Sequence, residues 1–441
     1  MRQLSSSIIL IVLFAGKLAG QNKVRDSILP YTFHFQQTLV TQGHFNFPAK
    51  YSGVNSFQTS ESGKTSITST IYAGIRPLRN LELYINPELA GGEGLSHATG
   101  IAGFPNGEIY RVGDPKPTIY LARAFGAYTL PLTSKTTVDE DDLNNVKGLT
   151  PTRYLRFIAG KYSLADFFDL NAFSHDPRTQ FLNWALMSNA AWDYPADVRG
   201  YNMALTVQYQ YDNWMVQVAT SLEPLVANGS KLNFNYAKSN GNVLEVTHTH
   251  QLKKHEGNIR LMAYLNQAPM GNYKEAITVA AARDTVPDIT AVRRNGHTKY
   301  GFGINMDQEV GRNAGVFAKA SWSDGHNETW AFTEVDQSIS AGWLQHGAPW
   351  HRPQDNAGVA LVVNGLSPDH RHYLEAGGAG FIIGDGKLNY APEMIAEVFY
   401  QLNISRLHIA LSPDYQFVLH PAYNKDRGPV HIVGLRTRVA F

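Results

Sequence analysis

Residues 201–222 alternate with a period of two on both sides of one short turn. On the first arm Tyr201, Met203, Leu205, Val207, Tyr209 and Tyr211 are apolar or aromatic, while Asn202, Ala204, Thr206, Gln208 and Gln210 are small or polar. Asp212 and Asn213 tolerate positive φ and suit a two-residue turn. Trp214, Val216, Val218, Thr220 and Leu222 then carry a mostly apolar face back. Residues flanking such a turn oppose one another, so Tyr211 and Trp214 share a face and both apolar sets lie on one side. This period fits a β-strand and not a helix, whose apolar stripe returns about every 3.6 residues.

The apolar face ends in Tyr209, Tyr211 and Trp214 beside the turn. Amphipathic rings at the edge of an apolar band are what a membrane interface selects, so the hairpin reads as two lipid-facing strands joined at the periplasmic edge. The last segment, 428–441, poses the same choice. Val433, Leu435, Thr437, Val439 and Phe441 fall on one face, and Ile432, Gly434, Arg436, Arg438 and Ala440 on the other. In a soluble sandwich the polar face meets water and the apolar face meets the core. In a membrane barrel the assignment inverts, with apolar side chains toward lipid and charged ones toward a wet lumen.

The N-terminus narrows the choice. Arg2, the apolar run 8–14 and the small residues Ala19 and Gly20 have the layout of a secretory signal peptide over 1–20. That run is too short to span a bilayer, which takes about 20 apolar residues, and no later run reaches that length. An exported chain without an apolar helix can occupy a membrane only as a closed barrel. The expected organisation is a signal peptide, 1–20, and one outer-membrane barrel domain, 21–441. Strands of about ten residues, with short turns on one side and longer loops on the other, take roughly 25 residues each. The fold expected is all-β: an antiparallel transmembrane β-barrel of about 16 strands, at most about 18, wide enough for an aqueous channel.

Weaker alternation marks strands at 32–40, 68–76, 81–86, 118–130, 300–307 and 314–322, and a second hairpin occupies 394–419. Gly, Pro and charge gather in 91–117, 139–142, 226–257, 272–298 and 343–356, which read as loops.

Composition excludes several functions. Charged residues make up 17% and the formal net charge is +1, without the basic bias of a nucleic-acid partner. With no cysteine there is no disulfide, thiolate metal site or cysteine nucleophile. Gly63-Lys64-Thr65 resembles the end of a phosphate-binding loop, but Gln58 stands where its first glycine is required. His248, His250 and His255 lack a supporting carboxylate pattern, and the acidic run 139–142 lacks the turn glycine of a calcium loop. No Gly-x-Ser-x-Gly elbow marks a nucleophilic serine. No cofactor, metal or catalytic residue is expected.

Two segments mix charge with aromatic rings. Within 171–201, Asp176, Arg178 and Arg199 accompany Trp184, Trp192 and Tyr194. Rings pack on the C–H faces of sugars and charged forks bind their hydroxyls, so this mixture suits a sugar path. The plain alternative is a barrel hairpin with rim aromatics and a salt-bridged turn. The Pro/Gly-rich stretch 103–117 is too long for a tight turn. It is either a constriction loop presenting Glu108, Arg111 and Asp114 to the lumen or an ordinary surface loop. Arg436 and Arg438 are expected in the water of the lumen, since an arginine on the lipid face costs about 2–4 kcal/mol at the midplane.

The stretches 160–187 (GKYSLADFFDLNAFSHDPRTQFLNWALM) and 191–201 (AWDYPADVRGY) resemble the carbohydrate-selective, OprB-type porin family of bacterial outer membranes. So do 300–310 (YGFGINMDQEV), 317–342 (FAKASWSDGHNETWAFTEVDQSISAG) and 364–400. The resemblance implies one outer-membrane barrel that passes mono- or oligosaccharides to the periplasm. It also implies that Phe441 matches the terminal aromatic read by the barrel-assembly machinery, and it leaves a homo-oligomer open. The function expected is passive, weakly saturable diffusion without enzymatic activity, because a tight site would stall release. The alternatives are a barrel hydrolase, which needs a nucleophile–base pair within hydrogen-bond reach, a general diffusion pore, and a soluble β-domain that adheres to polysaccharide.

Overall fold

The computed structural model describes residues 30–109 and 115–441, so the signal peptide expected at 1–20 lies outside the described residues. Sixteen long antiparallel strands form one sheet. The first are β1 (Tyr31–His44), β2 (Lys64–Leu78), β3 (Leu81–Gly92), β4 (Thr118–Pro131) and β5 (Arg153–Tyr162). They continue with β6 (Asn202–Tyr211), β7 (Trp214–Pro224), β8 (Asn240–Leu252), β9 (His255–Ala268) and β10 (His297–Val310). The wall ends with β11 (Ala314–Ser323), β12 (Gln337–His346), β13 (Asn356–Gly365), β14 (Glu393–Ile404), β15 (Ile409–Leu419) and β16 (Val430–Ala440).

Each strand pairs with its neighbours in sequence, and β16 returns to β1 in register from Gln36↔Ala440 to His44↔Ile432. The sheet is therefore closed, with no edge left to recruit another strand. Outward positions carry exposed apolar side chains such as Leu205, Val218 and Leu361, the last 61% accessible. Tyr209, Tyr211 and Trp214 mark one rim, where Trp214 stacks 4.1 Å from His248. Tyr300, Phe302 and Trp322 pack together at the other.

The two rims differ in their connections. On one, 79–80, 212–213, 253–254, 311–313 and 405–408 are tight turns. On the other, 45–63, 93–117, 163–201, 269–296, 324–336 and 366–392 are long. Asp212 takes the positive φ (51°) that its turn needs. The barrel's two ends meet on the short-turn rim, where Phe441 N–H donates to the Phe35 carbonyl at 2.9 Å.

The lumen is filled rather than open. Phe104, Phe168, Phe181, Trp184, Trp192, Phe332 and Ile383, all from loops, pack with wall residues Phe125, Ile158, Ala360, Val362 and Ile395 in one buried cluster. This packing explains the strands that alternation did not mark. On β5 and β13 the inward residues Ile158, Ala360 and Val362 are as apolar as the outward ones, because they face packed loops and not water. The segment 226–257, read as a loop, contains β8, and 343–356 contains the end of β12. Along β8 the outward set includes Asn240, Asn242, His248 and His250, which blurs the apolar face near both rims. Tyr201 is a further correction: it precedes β6 and turns into the lumen, its hydroxyl 3.0 Å from Glu88 Oε1.

A candidate constriction site inside the barrel

The loop 163–201 enters the lumen and is pinned there by charges on the wall. Glu397 on β14 accepts the backbone N–H groups of Leu182 (2.5 Å) and Asn183 (2.9 Å), just before the short helix α1 (Trp184–Met187). Lys319 on β11 donates to the carbonyls of Ser174 (2.5 Å), Leu186 (2.9 Å) and Met187 (3.1 Å). These pins answer a backbone problem, since a buried N–H or C=O without a partner costs about 1–3 kcal/mol. The same device holds the other loops. Glu393 accepts from Ala102, Gly103 and Ala422 at 2.8–2.9 Å, and Asp193 accepts from Trp330, Ala331 and Phe332 at 2.7–3.1 Å.

Where the loops leave space, a cavity of about 540 Å³ remains, within the usual range for small-ligand sites. Arg178 crosses it. Its Nε donates to Glu108 Oε1 at 2.6 Å, its Nη1 to the Tyr72 hydroxyl at 2.7 Å, and its Nη2 lies 3.3 Å from Glu88 Oε2. Glu88 also receives hydroxyl bonds from Thr70 (2.5 Å), Tyr201 (3.0 Å) and Tyr120, and Glu108 receives one from Thr68. Burial pushes the Glu108 carboxyl up, against the opposing pull of the Arg178 guanidinium. Facing this group, Arg123 forms a two-pronged pair with Asp166, at 2.7 and 2.6 Å. Arg199 lies 4.5 Å over the Tyr120 ring and Arg123 5.1 Å over the Tyr201 ring. Hydroxyls, paired charges and ring faces thus share one lining.

Of the residues singled out from sequence, Glu108, Asp176, Arg178, Trp184, Tyr194 and Arg199 line this cavity. Asp176 caps its own turn, accepting from Arg178 N–H at 2.9 Å and Thr179 Oγ1 at 2.8 Å. Trp184 is only 3% accessible, stacked between loops against Phe104 (5.0 Å), Phe332 (5.4 Å) and Tyr194 (5.7 Å). Trp192 does not line the cavity; it packs behind it at 1% accessibility, against Phe168 and Tyr194. Arg111 and Asp114 lie outside the described residues.

Arg436 points inward but not into water. It is 1% accessible and donates to the carbonyls of Pro177 (2.7 Å) and Gln180 (2.6 Å), so it too pins the inward loop. Arg438, half-buried, donates to Gln36 Oε1 at 2.8 Å. Tyr72, Glu88, Tyr120, Arg123 and Asp166 went unmarked. Four of these are inward residues of β2, β3 and β4, and only the register across the sheet brings them under the loop. The histidines His248 and His250 sit outward at the short-turn rim, and among the described residues no cluster of three or more metal-ligating side chains occurs.

The family model for carbohydrate-selective porins of the OprB family matches residues 55–441. The chain belongs to this family. It is an outer-membrane porin, and barrels of this kind set their tight turns toward the periplasm and their long loops outside. A high-pH structure of Pseudomonas putida OprB shares the fold with a TM-score of 0.69 at 17% identity, over 93% of this chain and 94% of that one. A low-pH structure of the same protein gives 0.50 at 13% identity, over 93% of both chains. Porin AaxA of Chlamydia abortus is 22% identical over 289 residues, 65% of this porin. The match spans about half, 54%, of that relative's length.

Proposed function

We propose that this OprB-family porin conducts neutral carbohydrates passively from outside to periplasm, through the cavity crossed by Arg178. The observation that carries this reading is the lining itself. Two ion-paired groups stand at its centre: Arg178 with Glu108 and Glu88, and Arg123 with Asp166. Tyr72, Tyr120 and Tyr201 supply hydroxyls and ring faces beside them. Paired charges offer donors and acceptors to sugar hydroxyls without the net field that would favour ions. Weak contacts spread over several groups let a sugar enter and still leave.

The test is single-channel recording in a planar bilayer with glucose and a maltodextrin series. Progressive closure with rising sugar, dependent on chain length, is the expected result. A conductance indifferent to every sugar would favour the general diffusion pore.

A hydrolase needs an accessible nucleophile beside its base. The buried pair His370–Asp336, 2.9 Å apart, instead serves as a brace: His370 stacks 4.4 Å on Tyr273, and the nearby Ser367 hydroxyl donates to the Gly325 carbonyl at 2.6 Å. We also infer that Phe441, which packs against Phe35 (6.3 Å) and His408 (5.1 Å), presents the closing strand to the barrel-assembly machinery.

A further inference from the structure

The longest connection on the periplasmic rim differs from its neighbours. The segment 132–152 between β4 and β5 stands where the neighbouring connections are tight turns, and it carries a small hairpin of its own, Thr136–Asp139 paired with Gly148–Pro151. The hairpin folds back into the barrel. Val146 near its tip is fully buried in the main apolar cluster, and Asp142, Leu143 and Asn144 line the same cavity as Arg178 and Tyr201. Its other side, through Asp139, Leu149 and Thr150, lines a second cavity of about 720 Å³ against Arg76, Glu82 and Arg156 of the wall. Among the described residues the two cavities have no lining residue in common. The hairpin is the partition between them.

The partition is held at few points. Arg76 donates to the carbonyls of Val146 (2.7 Å) and Lys147 (3.0 Å), and His34 lies 3.3 Å from Asp141. Asp141 and Asp142 are exposed. Among the described residues Arg76 is the one wall charge on its backbone, gripping two carbonyls as Arg436 does in the loop 163–201, where Glu397 and Lys319 add further grips. A lone two-stranded hairpin is marginal without a face to pack on, and here Val146 alone is buried in the core. At its base, Leu132 N–H to the Arg153 carbonyl (2.9 Å) and Thr152 N–H to the Lys135 carbonyl (3.0 Å) tie the two arms together into one unit.

We propose that the hairpin 132–152 is a movable exit gate: its tip forms the periplasmic wall of the constriction cavity and withdraws to pass a solute into the second cavity. The inference rests on the sugar reading only for what moves through the gate. The outer loops then select, and an element from the opposite rim governs release.

The chain has no cysteine, so an introduced pair reports cleanly. Thr32 Oγ1 lies 3.5 Å from the Asp142 carbonyl, which makes T32C/D142C the tether. In liposomes carrying the full-length double variant, maltose influx is expected to fall at least about fivefold on oxidation and to recover with reductant, since a locked partition blocks the only step it controls. In a second variant, 134–150 is replaced by Asn-Gly and KCl conductance is recorded in a planar bilayer. Removing one of two comparable restrictions in series should raise it about twofold. Maltose influx indifferent to oxidation, or conductance unchanged by the deletion, overturns the gate. The KCl measurement needs no sugar, so a wild-type channel that conducts ions but ignores sugars removes the carbohydrate reading and leaves the gate to be judged on conductance.

Discussion

Asp166→Asn is the sharpest probe of where ions travel. Asp166 is paired with Arg123 on the cavity wall, and its side chain is 22% accessible. The substitution keeps the shape and one acceptor oxygen but removes the negative charge. Arg123 stays charged, because a guanidinium does not deprotonate in proteins. The cavity therefore gains one positive charge. An ion passing about 5 Å away in water-like surroundings feels about 0.8 kcal/mol from that charge, and a Debye length of about 8 Å at 0.15 M roughly halves it. The effect favours anions and disfavours cations, so the anion-to-cation permeability ratio should rise about fourfold at 0.15 M and approach about sixteenfold in dilute salt. The assay is the reversal potential of the reconstituted channel in a KCl gradient, at two ionic strengths. A reversal potential that does not move, or moves toward cation selectivity, would show that ions bypass this cavity and that it is not the conducting path.

Three further outcomes follow from the packing. Lys319→Met removes three charge-assisted bonds to buried carbonyls and should loosen the loop 163–201 by about 2–4 kcal/mol while the barrel stays closed; limited proteolysis of that loop, beside an unchanged heat-modifiable band on gels, checks it. Leu361→Arg, on the outward face of β13, should destabilise the folded barrel by about 2–4 kcal/mol in lipid, read by urea unfolding in vesicles. Deleting Phe441 removes its stacking on Phe35 and its backbone bonds to β1, and should lower the yield of assembled barrel in membranes without changing the conductance of channels that do form.

The wall was legible in the sequence because lipid asks one simple thing of it. Leu205, Val207 and Tyr209 on β6 and Val433, Leu435 and Val439 on β16 alternate cleanly, and the structure turns them outward. The inward face carries no such uniform demand. Where it meets packed loops it is apolar, as at Ile158 and Val362; where it meets loop backbone it is charged, as at Glu397, Lys319 and Arg436. Arg178 and Glu108 were visible as charges in aromatic, Gly/Pro-rich segments. Their partners Glu88 and Tyr72 were not, since each is one polar residue among several on its strand and only the closed sheet sets them side by side. The partition by 132–152 was hidden for the same reason: its acidic tip reads as a solvated loop until the fold places Val146 in the core.

The inward charges fall into two groups with different work. Glu393, Glu397, Lys319 and Arg436 are spent on loop amides and carbonyls, which fixes the loops to the wall around their apolar cluster. Arg178, Glu88, Glu108, Arg123 and Asp166 are spent on one another at the cavity. Moving a member from the first group should change how firmly the path is defined; moving one from the second should change what the path prefers. Lys319→Met and Asp166→Asn test that division directly. If Lys319→Met altered the reversal potential as strongly as Asp166→Asn, with the loop still protected from protease, the wall charges would have to be counted as part of the path. The separation between scaffold and selectivity proposed for this porin would then fail.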